Sequence, residues 1–206
     1  MTSTDTRASN SRRDKFGDRR RELADAALAA VAEHGFANTG LRDIAARTSL
    51  SHGVLHYYFA DKDDLIGQAI WQYKSQCARR YDPIVETART AEEFIERFAA
   101  ELASTLGKES SLHRLWYDLR NQALFDAGFH ETVERVDALL EDMVWAVVNR
   151  YAQLSDRQLL VGKDTAYSLF DGLFQNARIS LLRGDLAAPR RLSSQVGPLL
   201  ASTLAP

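Results

Sequence analysis

The 206-residue chain lacks the features of a disulfide-stabilised, metal-chelating or membrane-spanning protein. Its single cysteine, Cys77, excludes an internal disulfide and a CxxC metal site. The best apolar stretch, residues 143–148, is far shorter than the ~18–20 residues that cross a bilayer. The N-terminus has no apolar signal-peptide core. These absences predict that the chain has no membrane partner and is located in a reducing cytoplasm.

Positive charge is not in excess over the whole chain, but it is concentrated at one end. The formal net charge of −2 excludes a uniformly polybasic nucleic-acid binder. Residues 1–62 contain 10 Lys and Arg against 8 Asp and Glu, whereas residues 63–206 contain 16 against 20. Within residues 1–21 the counts are 7 and 3. This asymmetry indicates an anionic partner at the N-terminal end.

Apolar residues recur at helical spacing from Arg19 to the C-terminus, and we find no alternating strand pattern and no internal repeat. The pattern predicts an all-α fold of about nine helices. Gly35 followed by Phe36 is typical of a Schellman-type end to the first helix. Residues 1–17 are polar and without periodicity, which predicts a disordered arm.

Two short amphipathic segments separated by a tight break have the shape of a helix-turn-helix. Residues 41–45 form one apolar face and residues 54–59 form the other. Asp61 is predicted to cap the following helix, with Asp64 as its capping-box partner. The residues predicted to hold the two short helices together are Ile44, Leu50, Leu55 and Phe59.

The second short helix is suited to the major groove of DNA, which is about 12 Å wide. Ser51 is predicted to cap its N-terminus, and Gly53 allows a close backbone approach. His52 and His56 lie one turn apart on the outward face. A metal site and a plain solvated face are the alternatives for this pair, although no third ligand shares the face. The candidate phosphate contacts are Tyr57 and Lys62.

The blocks at residues 39–45, 50–59 and 61–66 together resemble the DNA-binding domain of the TetR family of transcriptional regulators. The match covers roughly residues 19–66. The family usually has Ser or Thr where this chain has Gly40, so a hydroxyl contact to phosphate is missing there, whereas the Gly40 backbone N–H remains a candidate.

The resemblance implies an N-terminal three-helix DNA-binding domain over residues 18–66 and a helical ligand-binding and dimerisation domain over residues 67–206. Residues 170–184 are similar to the C-terminal helix of the subgroup that contains the choline-responsive repressor of betaine synthesis. We do not carry that ligand over. Arg19, Arg20 and Arg21 are either a solvated helix start or contacts to the DNA backbone.

Three sets of site residues are predicted. The DNA-binding set consists of Thr39, Gly40, Arg42, Ser51, His52, Gly53, Val54, His56, Tyr57 and Lys62. Within this set, Thr39, Arg42 and the two histidines are predicted to face base edges or adjacent phosphates. The predicted effector site, based on an excess of aromatic residues and nearby polar groups, consists of Phe98, Trp116, Arg120, Asn121, Trp145, Phe170 and Phe174. The predicted dimer interface consists of Gly172, Leu173, Ala177, Leu181, Leu192, Val196 and Leu199.

These observations predict a homodimeric regulator, most consistent with a repressor, that leaves a palindromic double-stranded DNA operator when a small apolar or aromatic molecule binds. No cofactor, metal or catalytic residue is predicted. An activator of the same fold fits the same residues. An all-α binding protein or enzyme is a remote alternative, because Cys77 has no local His and no Ser-His-Asp grouping is visible.

Overall fold

The structure, a computed structural model, describes residues 3–34, 39–47 and 51–206. Contacts divide it into two compact units. The first unit comprises Met1–Tyr73 and Ser111–Glu134, and the second comprises Lys74–Ser110 and Arg135–Pro206. This division differs from the predicted boundary between residues 66 and 67. The periodicity of the sequence shows where helices lie, but it does not show that a segment late in the chain returns to the N-terminal helices.

Within the described residues the fold is all-α, as predicted. The helices are α1 (Ser3–His34), α2 (Leu41–Arg47), α3 (His52–Tyr58), α4 (Lys62–Arg79), α5 (Asp82–Thr87), α6 (Ala91–Lys108), α7 (Ser110–Gln122), α8 (His130–Leu154), α9 (Lys163–Leu182) and α10 (Ala188–Ser202), with a 3₁₀ turn at Ala127–Phe129. Strand pairing in this part of the chain is confined to one bridge between Leu159 and Leu204. None of the described helices combines the length and the hydropathy that a bilayer crossing requires.

Helix α1 is longer than the sequence predicts. It begins at Ser3, so the prediction of a disordered arm over residues 1–17 is corrected. One reason lies in Phe16, whose ring packs against those of Tyr58 and Tyr57 with centroid separations of 4.7 Å and 6.0 Å. These contacts give the polar segment an apolar anchor. The predicted helix end at Gly35 and Phe36 lies outside the described residues.

The first unit also ties α7 to the end of α1. Arg114 of α7 donates a hydrogen bond to the carbonyl oxygen of Ala32 at 2.9 Å. The last carbonyls of a helix have no partner within the helix, and a side-chain donor satisfies one of them here. Tyr73 and His113 add a buried contact between α4 and α7, with 3.2 Å between the Tyr73 hydroxyl and Nε2. The segment from Ser111 thus belongs to the first unit through polar contacts that periodicity cannot show.

The second unit is built around α6, against which α9 and α10 pack. A capping box starts α6: Thr90 Oγ1 accepts a hydrogen bond from the Glu93 amide at 3.2 Å, and Glu93 accepts one from the Arg89 amide at 2.9 Å. The apolar residues of α6 that lie in the core are Phe94, Phe98, Leu102 and Leu106, and those of α10 are Leu192, Val196 and Leu200.

This packing corrects part of the predicted dimer interface. Leu192 and Val196 are each 0% exposed within the single protomer, where they belong to the same core as α6. Ala177 also lies in this core. An amphipathic stripe indicates that one face of a helix is buried, but it does not indicate which surface covers that face. These three residues therefore do not form a surface that a second chain can contact.

Two helical glycines allow a matched test of how closely α4 approaches Thr132 of α8. A Cβ added at Gly67 of α4 would lie 2.7 Å from Oγ1 of Thr132, whereas one added at Gly107 of α6 would meet nothing within 4 Å. Gly107→Ala should therefore raise stability by about 0.5 kcal/mol through lower chain entropy. Gly67→Ala should lower the melting temperature, and adding Thr132→Ala should restore it. Equal effects of the two single substitutions in calorimetry would contradict the close approach at Gly67.

Candidate functional site

The short helix α3 presents a polar face built on an apolar one. Its N-terminus is capped as predicted, because Ser51 Oγ accepts a hydrogen bond from the Val54 amide at 3.2 Å. Leu55 is 0% exposed and turns the opposite face inward. Tyr57 is 72% exposed and His56 is also exposed, so the outward face is accessible to a ligand as large as DNA.

The predicted inward residues hold α2 and α3 together where they are described. Ile44 is 0% exposed and Phe59 is 1% exposed, which confirms their predicted positions. Leu50 lies outside the described residues. The exposed backbone of Gly53 meets no neighbour within 4 Å of an added Cβ, which agrees with a surface open to a close approach. Val54, beside it, is partly exposed.

The two histidines of α3 stack edge to face. The ring centroids of His52 and His56 are 4.4 Å apart with an interplanar angle of 80°. They share one face of α3, as the spacing of four residues predicts. In the described part of the chain no group of three or more His, Cys, Asp or Glu side chains is arranged to hold a metal. The geometry therefore favours two side chains that donate or accept hydrogen bonds at the surface.

Helix α2 contributes fewer accessible groups than predicted. Thr39 is only 2% exposed, so the prediction that it faces base edges is corrected: its side chain is packed at the start of α2. The backbone N–H of Gly40 donates to Asp43 Oδ2 at 2.8 Å, so this donor is already used within the helix start. Arg42 is exposed, as a groove contact requires.

The start of α4 is fixed by the predicted capping box. Asp61 Oδ1 accepts a hydrogen bond from the Asp64 amide at 2.8 Å, and Asp64 Oδ2 accepts one from the Ala60 amide at 3.1 Å. Lys62 is partly exposed at the first helical position. Burial, together with the negative charge of Asp61, raises the pKa of Asp63.

One residue of α1 connects to this turn in a way that the sequence did not reveal. Arg20 forms an ion pair with Asp64, and its guanidinium lies 5.0 Å from the ring centroid of Phe59. Its neighbours in the basic run differ: Arg19 is paired with Glu22 at 2.8 Å and Arg21 with Asp18, both within α1. Arg20 is thus a structural residue, whereas Arg19 and Arg21 remain exposed.

Comparison with known proteins agrees with this geometry. Residues 23–69 match the family described as "Bacterial regulatory proteins, tetR family". The chain belongs to the TetR family. Over 166 residues it is 26% identical to the HTH-type transcriptional repressor KstR2 of Mycobacterium tuberculosis, which covers 66% of this chain and 83% of the relative. Relatives of this TetR-family chain are named as transcriptional regulators, which are not enzymes.

Solved structures show the same fold over most of the chain. FadR of Bacillus subtilis, in complex with stearoyl-CoA, superposes with a TM-score of 0.70 at 17% identity, covering 89% of this chain and 98% of FadR. A regulator from Saccharomonospora viridis, in complex with choline, gives 0.71 at 16% identity, covering 91% and 98%. The TetR fold is thus present outside the matched N-terminal segment as well.

The predicted effector residues of this TetR-family chain do not fall in one unit. Trp116, Arg120 and Asn121 belong to the first unit, where Trp116 is fully buried and Asn121 is exposed. The members in the second unit are Phe98, Trp145, Phe170 and Phe174. Phe98 and Phe170 are in edge-to-face contact with centroids 5.9 Å apart. The second unit therefore contains four of the five aromatic residues of the prediction.

A cluster of buried charges lies in the second unit, and sequence reasoning missed it. Lys74 of α4 is 4% exposed and Arg178 of α9 is 5% exposed. Arg178 donates to the carbonyl oxygen of Ser110 at 3.0 Å. Burial lowers the pKa of Lys74 to about 8, and the positive charge of Arg178 acts in the same direction. A lone lysine in a helical pattern is usually exposed, so the sequence carries no signal for it.

The lowered pKa of Lys74 predicts how stability depends on pH. Between the folded value of about 8 and the ordinary value of 10.5, the unfolded chain holds more protons than the folded one. Stability contributed by this group therefore rises with pH across that window, by at most about 1.4 kcal/mol per unit. Lys74→Met should be more stable than the unsubstituted chain at pH 7, and the difference should shrink by pH 9.5.

Urea unfolding at both pH values measures this difference. Lys108→Met is the matched control, because Lys108 lies in the same unit but is exposed. It removes the same charge and should show no such pH dependence. If Lys74→Met changes the free energy of unfolding by the same amount at pH 7 and at pH 9.5, the charge of Lys74 does not destabilise the folded chain.

Proposed function

We propose that the chain is a homodimeric DNA-binding repressor that a small molecule releases from a palindromic operator. The observation that carries this proposal is the outward face of α3, where His56 and Tyr57 are exposed beside the open backbone of Gly53. An α-helix with its side chains is about 10–12 Å in diameter. That diameter fits the major groove, which is about 12 Å wide.

The proposed contacts divide into two kinds. Arg42, His52 and His56 are proposed to face base edges, since an arginine can donate two hydrogen bonds to one guanine. Tyr57 and Lys62 are proposed to bind phosphates, which positions the helix without specifying the sequence. Ser51 acts through the cap of α3 rather than through a direct contact, because its hydroxyl oxygen accepts the Val54 amide.

Repression and effector binding are supported by relatives. KstR2 carries the name of a repressor, and the two solved structures contain bound small molecules. Stearoyl-CoA and choline have opposite charges, so the shared fold leaves the charge of the effector open. We propose an effector site in the second unit that includes Phe98, Phe170 and Phe174. A promoter fusion tests the sign of regulation: loss of the chain raises expression if it represses and lowers it if it activates.

The proposed dimer interface lies on the exposed face of α9. Leu169 and Ile179 are 38% and 39% exposed in the protomer and share a face with Gly172 at spacings of three and seven residues. Leu182, at the end of α9, is 53% exposed. A Cβ at Gly172 would meet nothing within 4 Å, so this face is open. The half-buried members of the original prediction, Leu173, Leu181 and Leu199, flank the protomer core instead.

Selection of binding sites from random DNA tests the DNA-binding proposal. We expect a near-palindrome whose half-sites are about one helical turn apart. Arg42→Ala should cost about 1–3 kcal/mol and relax the preference at one base pair in each half-site. Lys62→Ala should weaken binding to all sequences alike and reduce the salt dependence by about one unit. Fluorescence anisotropy at several salt concentrations measures both effects.

The control for these variants is Lys108→Ala, which removes an exposed cation from the second unit and should leave DNA affinity unchanged. If selection enriches no sequence at all, the proposed function is wrong. If Arg42→Ala lowers affinity equally for every sequence, Arg42 contacts phosphate rather than a base.

Two open glycines test the dimer. Gly172→Arg should give monomers in sedimentation velocity and lose operator affinity, because a charge buried without a partner costs several kcal/mol. Gly107→Arg is the matched control: it makes the same substitution at another open helical glycine and should remain dimeric. Circular dichroism verifies that both variants fold. A Gly172→Arg variant that stays dimeric with unchanged operator affinity would exclude this face of α9.

A further inference from the structure

Helix α1 contacts the proposed recognition helix through an aromatic side chain, that of Phe16. The centroid of its ring is 4.7 Å from that of Tyr58 and 6.0 Å from that of Tyr57. The rings of Tyr57 and Tyr58 are 4.9 Å apart, with an interplanar angle of 83°. All three separations lie in the range of favourable aromatic pairs. The three residues therefore form one aromatic cluster, in which each ring contacts the other two.

Tyr57 is the exposed member of this aromatic cluster. It is 72% exposed, whereas Tyr58 is partly buried. A side chain that is mostly exposed has few packing contacts, and exposed side chains change rotamer within picoseconds to nanoseconds. The edge-to-face contacts with Phe16 and Tyr58 restrict this motion, because they favour one orientation of the Tyr57 ring.

Phe16 makes its contact from a face of α1 that is itself anchored. Arg20 lies one turn after Phe16, and residues four apart share one face of a helix. Arg20 forms an ion pair with Asp64, and its guanidinium lies 5.0 Å from the ring centroid of Phe59, the residue that ends α3. The face of α1 that carries Phe16 is therefore held against the end of α3, so Phe16 contacts Tyr57 from a fixed position.

We infer that Phe16 is a positioning residue for DNA binding, whose ring holds Tyr57 in the orientation in which its hydroxyl group reaches a phosphate. This inference rests on the proposed function, in which Tyr57 binds phosphate. Ordering a side chain at an interface costs conformational entropy. A Tyr57 ring that is already oriented in the free protein avoids part of this cost, so binding is tighter. Phe16 acts through Tyr57 and not through a contact of its own with DNA.

A double-mutant cycle tests this role. Operator affinity is measured by fluorescence anisotropy for Phe16→Ala, for Tyr57→Phe, which keeps the ring and removes the hydroxyl, and for the double variant. We expect Phe16→Ala to weaken binding about three- to tenfold in the unsubstituted chain and less than about twofold in the Tyr57→Phe background, where the positioned hydroxyl is absent. Equal losses in both backgrounds would overturn the inference, as would unchanged affinity of Tyr57→Phe.

The salt dependence of binding separates positioning of Tyr57 from an effect of charge. A tyrosine hydroxyl is neutral, so its contact with a phosphate releases no counterion. Phe16→Ala should therefore lower affinity at every salt concentration and leave the slope of log affinity against log salt unchanged. A shallower slope would show that Phe16 acts through exposed basic residues of α1, such as Lys15 and Arg19, and the inference would be wrong.

Three further variants separate the orientation of Tyr57 from the folding of α1. Phe16→Leu keeps an apolar side chain for the packing of α1 but removes the ring, so it should keep the melting temperature and still lose affinity. Phe16→Tyr keeps the ring and should bind normally. Phe125→Ala is the matched control in the same unit: Phe125 is 90% exposed, so its removal should change neither quantity. If Phe16→Leu binds as tightly as the unsubstituted chain, the packing of α1 explains the effect and the inference fails.

Failure of this inference can be distinguished from failure of the proposed function. If the unsubstituted chain enriches no sequence from random DNA, the proposed function is wrong and the inference fails with it. If the unsubstituted chain binds its operator and Phe16→Ala binds that operator equally well, DNA binding stands and only the role of Phe16 is wrong.

Discussion

One carboxylate, that of Asp64, fixes the position of the proposed recognition helix. It accepts the Ala60 amide just after α3, its own amide donates to Asp61, and it pairs with Arg20 of α1. Three helices are therefore held by one side chain and its amide. Arg20 also lies over the ring of Phe59, the buried residue that ends α3. The pair is partly buried, so water screens it less than an exposed ion pair.

The orientation of the outward face of α3 depends on these contacts, because α3 is too short to be stable by itself. Seven residues are too few for an isolated helix to be stable in water. The cap at Ser51 and the burial of Leu55 supply some of the missing stability. Phe16 supports the same helix through its contacts with Tyr57 and Tyr58. The rings that contact Phe16 thus belong to the helix that carries the proposed DNA contacts.

Features that depend on neighbouring residues can be predicted from the sequence. Features that depend on contacts with a distant segment cannot. The all-α fold, the cap at Ser51 and the capping box of Asp61 and Asp64 follow from short-range rules. The extension of α1 was missed because its anchor, Phe16, needs a partner more than 40 residues away. Thr39 is predicted to face DNA because the resemblance gives its position in the motif. The motif does not give the exposure of the side chain, which is only 2%.

The same distinction explains why the apolar stripe of α10 is predicted to face a second chain although it lies in the protomer core. Both stripes are apolar at helical spacing, but α10 buries Leu192 and Val196 in its own protomer. On α9 the surface proposed for a second chain is the smaller set of residues around Gly172, which the overall periodicity does not separate from the core face. Single apolar residues such as Leu169 and Ile179 are ordinary on a protein surface, and the proposed interface depends on their common face beside the open Gly172.

Regulation by an effector has a thermodynamic limit. A ligand shifts an equilibrium only as far as its affinity differs between the two states. In the proposed effector site the rings of Phe98 and Phe170 are packed against each other, so packing contributes to that difference only in a state that opens these rings to the ligand. The difference in affinity is then the free energy that couples effector binding to release from DNA in the proposed mechanism.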